Sequence, residues 1–122
     1  MKVLLFQSRF APKVAAGEKC QTIRPARKVP ICPGDLLSLR EWTGKPYRSK
    51  QRILRSARCT SVTSIAIDES AIVVNGRALD ALERFALSVQ DGFDNAVYMR
   101  DWFRATHGLP FKGVLICWPT EK

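Results

Sequence analysis

Acidic side chains, histidine and long apolar runs are all scarce in this sequence. The 122 residues carry 11 Asp and Glu against 20 Lys and Arg, and a single histidine, His107. Cys20, Cys32, Cys59 and Cys117 form no Cys-x-x-Cys and no Cys/His pair at zinc spacing, so no metal site and no cofactor is expected. No apolar stretch approaches the roughly 20 residues that cross a bilayer. The longest candidate, "GVLICW", is only strand-sized, and no membrane partner is expected. The opening "MKVLLF" is cut by Arg9 and no small-residue cleavage pattern follows it. Four cysteines could formally make two disulfides, but reduced thiols in a cytoplasmic protein are the expectation. Internal repeats and low-complexity segments are also absent.

What is present is ordinary globular composition, 46% hydrophobic and 25% charged, on a chain of single-domain size spanning residues 1–122. Such a chain buries a core without covalent staples. The net charge of +9 is less ordinary. It favours polyanions such as nucleic acid, although a solvated basic surface would look the same.

Local signals divide the chain into short elements. "KVLLFQ" reads as a buried strand and "APKVAAG" as a brief helix closed by Gly17 in the left-handed conformation. "CQTIR" reads as a strand stopped by Pro25. "PARKVPICPGD" is a basic loop ending in a Pro-Gly turn, where Asp35 is a turn residue. "LLSLREW" reads as a strand, "TGKP" as a turn, and "RSKQRILRSARCTSVTSIAID" as one long strand or two consecutive ones. "SAIVV" before Asn75-Gly76 is a hairpin signal. "DALE", from Asp80, resembles a capping box opening a helix of about two turns, with "VQDGF" a loop after it. Asp94 is expected to cap a second helix with Ala96, Met99 and Phe103 inward and Arg100, Asp101 and Arg104 outward. Gly108 ends that helix, and "FKGVLICW" supplies a last strand. Short strands with two or three helices and no regular βαβ alternation indicate an α+β domain around a small, curved, largely antiparallel sheet or barrel.

Chemistry concentrates in "GEKCQTIR". A threonine hydroxyl becomes a nucleophile only when a neighbouring base takes its proton, and a lysine with a lowered pKa can be that base. Lys19 and Thr22 are three residues apart, so in a regular strand they point to opposite faces. They meet only if the strand entrance bends, which Gly17 permits. The other reading is an exposed lysine and a strand-forming threonine. Asp91, before Gly92 and Phe93, is either an acid aimed into a cleft or a turn aspartate. The basic run Arg48, Lys50, Arg52, Arg55 and Arg58 is either solvated surface or, for its even-numbered members, a stripe that tracks phosphates. Trp42 and Tyr47 could stack on a base, whereas Trp102 and Trp118 fit core patterns. His107, beside a helix-ending glycine, complements the helix dipole and is not assigned to catalysis.

Taken in order, the short helix running into "KCQTIR", the "PGD" turn, the central basic strands, "DGF" before a helix and the closing "FKGVLICW" resemble the ASCH family, over about Phe6 to Trp118. The resemblance implies a PUA-like fold: a small, curved, mostly antiparallel β-barrel with two or three flanking helices. A small bacterial branch looks closest. Its members are amidohydrolases that remove the acyl group from N4-acetylcytidine with a Lys-x-x-Thr pair and a distant Glu. By motif, Lys19 and Thr22 take the pair's positions and the acid falls at or beside Asp91, one methylene shorter than the family's Glu. The implied roles are Lys19 as base, Thr22 as nucleophile, and Asp91 orienting Lys19 or protonating the departing nitrogen. Arg24, Gly92 and Phe93 would contact a modified nucleoside, and no metal is called for. The wider fold also includes RNA-binding modules without catalysis, which would use the basic run, and metal-independent ribonucleases. Oligomeric state is not indicated.

Overall fold

The computed structural model describes residues 1–119. β1 (Lys2–Leu5) leads into α1 (Ala11–Ala16), which carries Pro12 in its first turn and closes at Gly17 with φ 79°. β2 (Gln21–Arg24) stops at Pro25, and the proline-rich loop beyond it holds no regular element before β3 (Leu36–Trp42). The long basic segment resolves into two strands, β4 (Gln51–Arg58) and β5 (Ser61–Ile67). Asn75 and Gly76, both at positive φ, turn β6 (Ile72–Val74) back into β7 (Arg77–Ala78).

α2 (Ala81–Gln90) opens on the expected capping box: Asp80 accepts from the Glu83 N–H at 2.8 Å and Glu83 accepts from the Asp80 N–H at 3.0 Å. It runs further than the local signals suggest, taking in Val89 and Gln90, so the connecting loop begins only at Asp91. Burial of Leu87 and Ser88 against the core sustains this extra turn. α3 (Ala96–Thr106) is capped by Asn95, not Asp94: the Asn95 side chain accepts from the Tyr98 N–H at 2.9 Å. Either side chain can cap a helix, so the choice falls to the phase that buries Met99 and Phe103. β8 (Phe111–Cys117) completes the chain of elements, and all four cysteines are free thiols.

The strands form two sheets, β1-β3-β4 and β2-β8-β5-β6-β7, in which only the β1–β3 pair is parallel. The molecule is therefore a small α+β fold with mostly antiparallel sheets and three helices, but its strands do not close into the expected barrel. The sheets part at Cys59-Thr60, where the backbone partner changes from Asp35, beside β3, to Cys117 on β8. Between β1 and β2 no ladder forms. A side chain spans that gap instead, the Arg24 guanidinium donating to the Leu5 carbonyl at 2.7 Å. Leu37, Leu39, Ile67, Met99 and Phe103 lie at the centre of the core, with Val14 of α1 packed on it. Among the described residues no helix is long and apolar enough to cross a membrane.

The cap assignment predicts that Asn95→Ala lowers stability by about 1 kcal/mol in urea unfolding, whereas Asp94→Ala changes it by less than about 0.5 kcal/mol. The reverse ranking would return the cap to Asp94.

Candidate active site

A hollow of ≈ 270 Å³ opens beside the unclosed seam between β1 and β2. This is close to the lower bound of about 300 Å³ usual for small-ligand sites. Its lining unites the end of β1 and the residues after it, Lys19 and Thr22 to Pro25, Asp91 and Phe93 from the α2–α3 connection, and the end of α3. Lys19, Thr22, Arg24, Asp91 and Phe93 thus share one concavity, drawn from segments far apart in sequence.

Lys19 reaches the hollow because the chain does not enter β2 straight. After Gly17 turns, the N–H groups of Glu18 and Lys19 both donate to the Lys13 carbonyl, at 2.9 and 3.0 Å. Lys19 therefore stands before the regular strand begins at Gln21, and the two-residue alternation does not govern it. It is not an exposed surface lysine, being 2% accessible. Its Nζ donates to the Asp91 main-chain oxygen at 2.6 Å and lies 3.1 Å from Asp91 Oδ1. The rings of Phe10 and Phe6 stand 5.1 and 5.9 Å from the same nitrogen.

Asp91 is the residue on which α2 ends, and its side chain is turned inward, 4% accessible, with its Oδ1 also accepting from Gln21 Nε2 at 3.1 Å. It is not a turn aspartate bonded to its own loop; the shorter acid meets the amine directly. Gly92 follows at φ 100°, and a Cβ there would stand 2.9 Å from the Phe10 ring and 3.6 Å from Lys19 Cδ. Glycine lets the acid's backbone close on the lysine. Lys13 Nζ donates to the Gly92 carbonyl at 3.5 Å, a second tie between the two segments.

Thr22 and Arg24 alternate regularly on β2 and share a face. Arg24 Nε donates to Thr22 Oγ1 at 2.9 Å while Nη2 holds Leu5. The Thr22 oxygen is thus bonded to a guanidinium; no hydrogen bond joins it to Lys19 among the described residues. Phe10, Phe93 and Trp102 form an aromatic wall, with ring centroids 5.4 to 5.9 Å apart. Trp102 is a half-buried wall of the hollow, while Trp118 is core as expected. His107, stacked on Phe103, also lines the hollow and is held below its usual pKa by burial and by the Arg24 charge.

Burial dominates the titration of the central pair. It pulls the Lys19 ammonium below the usual lysine range and pushes the Asp91 carboxyl above the usual carboxylate range, each partner's charge working against the shift. Burial also lowers the Arg24 guanidinium, to about 10, despite Asp91. Desolvation therefore works on both partners of the Lys19–Asp91 pair in the same sense, toward a neutral amine beside a neutral acid, while their mutual attraction favours the ion pair.

The basic run does not form one stripe. Arg48 and Lys50 precede β4, which starts at Gln51. Within the strand, Arg52 is paired with the buried Glu41, Arg55 donates to the Ala15 carbonyl at 3.4 Å, and Arg58 donates to the Gly34 carbonyl at 2.6 Å. Those three cations also contact the loops and the helix beside the sheet. Among the described residues no group of three or more His, Cys, Asp or Glu side chains could hold a metal ion. No family model, curated protein or solved structure matches the chain.

Lys19→Met would leave Asp91 as a buried, unpaired charge and is expected to cost about 3–5 kcal/mol near neutral pH. The sign follows from linkage. Without Lys19 the folded Asp91 carboxyl rises still further above its unfolded value of about 3.9, so the folded state favours the protonated form. The deficit against the parent, read by urea unfolding, is expected to shrink as pH falls from about 7 to about 4. A deficit equal at both ends of that range would show that Asp91 carries no buried charge.

Proposed function

We propose that the protein is an amidohydrolase that removes the acyl group from N4-acylated cytidine, releasing acetate and cytidine from N4-acetylcytidine. The observation that carries this reading is the buried Lys19–Asp91 contact at the floor of an aromatic hollow that also holds Thr22 and Arg24. The resemblance to the ASCH amidohydrolases names the substrate; the pair supplies the acid–base chemistry that such a reaction needs.

The neutral form of the pair contains both catalysts at once. Lys19, as a free amine, takes the Thr22 proton and becomes ammonium. Arg24 Nε, bonded to the Thr22 oxygen, eases its deprotonation; that oxygen attacks the acyl carbonyl and the negative charge passes to the former carbonyl oxygen, which backbone N–H groups near the strand entrance would hold. Asp91, as a neutral acid, gives its proton to the exocyclic nitrogen as the C–N bond breaks. Cytidine leaves and an acyl-threonine remains. Water then attacks the ester, one of its protons passing to the Asp91 carboxylate, and Lys19 returns a proton to Thr22 as acetic acid departs and ionises in solvent. Atoms and charges balance, and both groups finish as they began. The apolar rings favour entry of a flat, uncharged pyrimidine and exclude water. A guanidinium has five N–H donors, so Arg24 retains capacity for the pyrimidine carbonyl beyond its bonds to Thr22 and Leu5.

Incubation with N4-acetylcytidine, followed by chromatography for cytidine, tests the reading directly. Thr22→Ala is expected to lower kcat/KM by roughly 10³-fold or more, at a stability cost of about 1–3 kcal/mol because Arg24 loses its acceptor. Absence of cytidine with the parent protein would sink the hydrolase, and undiminished turnover in Thr22→Ala would remove that hydroxyl from the reaction.

A further inference from the structure

A second groove, of ≈ 560 Å³, adjoins the hollow and shares Leu5, Phe6 and Gln7 with it as a common wall. Nothing in the proposed chemistry uses it. No carboxylate lines it. Trp42 closes its far end, with the Tyr47 ring 5.1 Å away at a tilt of 49°. Tyr47 is 87% exposed and held at φ 64°, a conformation that a bulky side chain rarely adopts. An exposed aromatic ring packed against one that lines a groove is a ready surface for a flat partner.

Arg9 stands at the junction. It lines the groove, and its guanidinium lies 4.7 Å from the Phe10 ring and 5.0 Å from the Phe93 ring, both of which line the hollow. The turn beyond Trp42, whose Gly44 and Pro46 line the groove, carries Lys45, Arg48 and Lys50 in its sequence. Among the described residues none of these four cations has an ion-pair partner. The fold therefore sets side by side a small aromatic hollow, a cation where it meets the groove, and a groove lined by Trp42 with Tyr47 packed against that ring.

We propose that this groove binds the nucleotide next to the reacting one, so that the substrate is single-stranded polynucleotide and not free nucleoside. The acylated base enters the hollow, the phosphodiester on its sugar meets Arg9, and the neighbouring base stacks on Trp42 and Tyr47. The catalytic half of this statement rests on the amidohydrolase reading; the binding half rests on the groove alone. Ribose and deoxyribose strands share the recognised chemistry, a phosphate flanked by bases, and are separated in the test.

The test uses the full chain with N4-acetylcytidine, with a trinucleotide carrying that base centrally, and with unmodified fluorescent single-stranded RNA and DNA 10-mers for anisotropy. The expected result is a kcat/KM for the trinucleotide at least about tenfold above that for the nucleoside. Arg9→Ala and the solvent-exposed Tyr47→Ala should each collapse that ratio toward unity; Trp42→Ala adds a third probe should it fold. Binding of the RNA 10-mer should weaken with salt, and each cation removed should flatten the slope of log K against log salt by about 0.7. Equal binding of the DNA 10-mer would assign recognition to phosphate and base, and a preference for RNA would add the 2′-hydroxyl; both support the groove. Oligomer binding that is lost in Arg9→Ala and Tyr47→Ala, with no hydrolysis of any substrate, would keep the groove and discard the hydrolase. Nucleoside hydrolysis with no trinucleotide advantage and no low-salt 10-mer binding would overturn the groove and keep the hydrolase.

Discussion

An amine and a carboxyl group, 72 residues apart in the chain and almost entirely hidden from water, meet where α1 and α2 end. Around that contact the surrounding structure is arranged. The Lys13 carbonyl fixes the backbone of Lys19, the Lys13 side chain reaches the Gly92 carbonyl, and Gln21 holds the Asp91 carboxylate from the strand side. A buried ion pair of this kind is a weak source of stability, since well-packed apolar residues of similar volume usually do as well or better. A domain with a continuous core of Phe, Leu, Ile and Met has no energetic need for it. Desolvation shifts both groups toward their neutral forms, which is the condition under which one can accept and the other donate a proton at ordinary pH.

The same economy appears in the topology. The two sheets fail to join between β1 and β2, and Arg24 bridges the gap through the Leu5 carbonyl. A backbone ladder there would have filled the space that the hollow occupies. The bridging guanidinium also donates to Thr22, so the residue that holds the seam together sets the electrostatics of the hydroxyl beside it. Phe6, packed under that guanidinium at 4.9 Å, ties the seam to the aromatic wall. Fold and site are one feature described twice: the sheet stays open where the chemistry would take place.

Much of this was legible in residue order, and the failures share a cause. Turn and cap signals placed nearly every element, because Gly17, Asn75-Gly76 and the Asp80/Glu83 box act through local sterics and local hydrogen bonds. The left-handed Gly17 also foretold the bend that frees Lys19 from strand alternation. What local pattern could not supply was tertiary choice. Asp94 and Asn95 are equally good caps, and the burial of Met99 and Phe103 decides between them. Whether the sheet closes depends on edges that never meet in sequence. Gln21 and Phe10 were not singled out, since a glutamine in a strand and an aromatic ahead of a short helix carry no signal until Asp91 and Gly92 are folded against them. The arginines of β4 show a related limit: spacing shows which way a side chain points, not whether Glu41, Ala15 or Gly34 waits there.

That last point changes how the net charge of +9 is understood. Several cations are engaged within the molecule: Lys2 with Asp35, Arg77 with Glu83, and Arg104 with Glu69 and Asp101. Arg24, Arg52, Arg55 and Arg58 are likewise bonded to the fold. Setting these aside leaves Arg9, which lines the groove beside the hollow, and Lys45, Arg48 and Lys50 in the turn beyond Trp42 without ion-pair partners among the described residues, as it does Arg27, Lys28 and Lys112. A neutral nucleoside has no use for such cations. Unpaired cations repel one another at some cost to a compact domain, so an anion bound at the groove would relieve part of that repulsion. On the proposed reading that anion is a phosphodiester backbone, which also carries flat bases to the rings of the hollow and the groove.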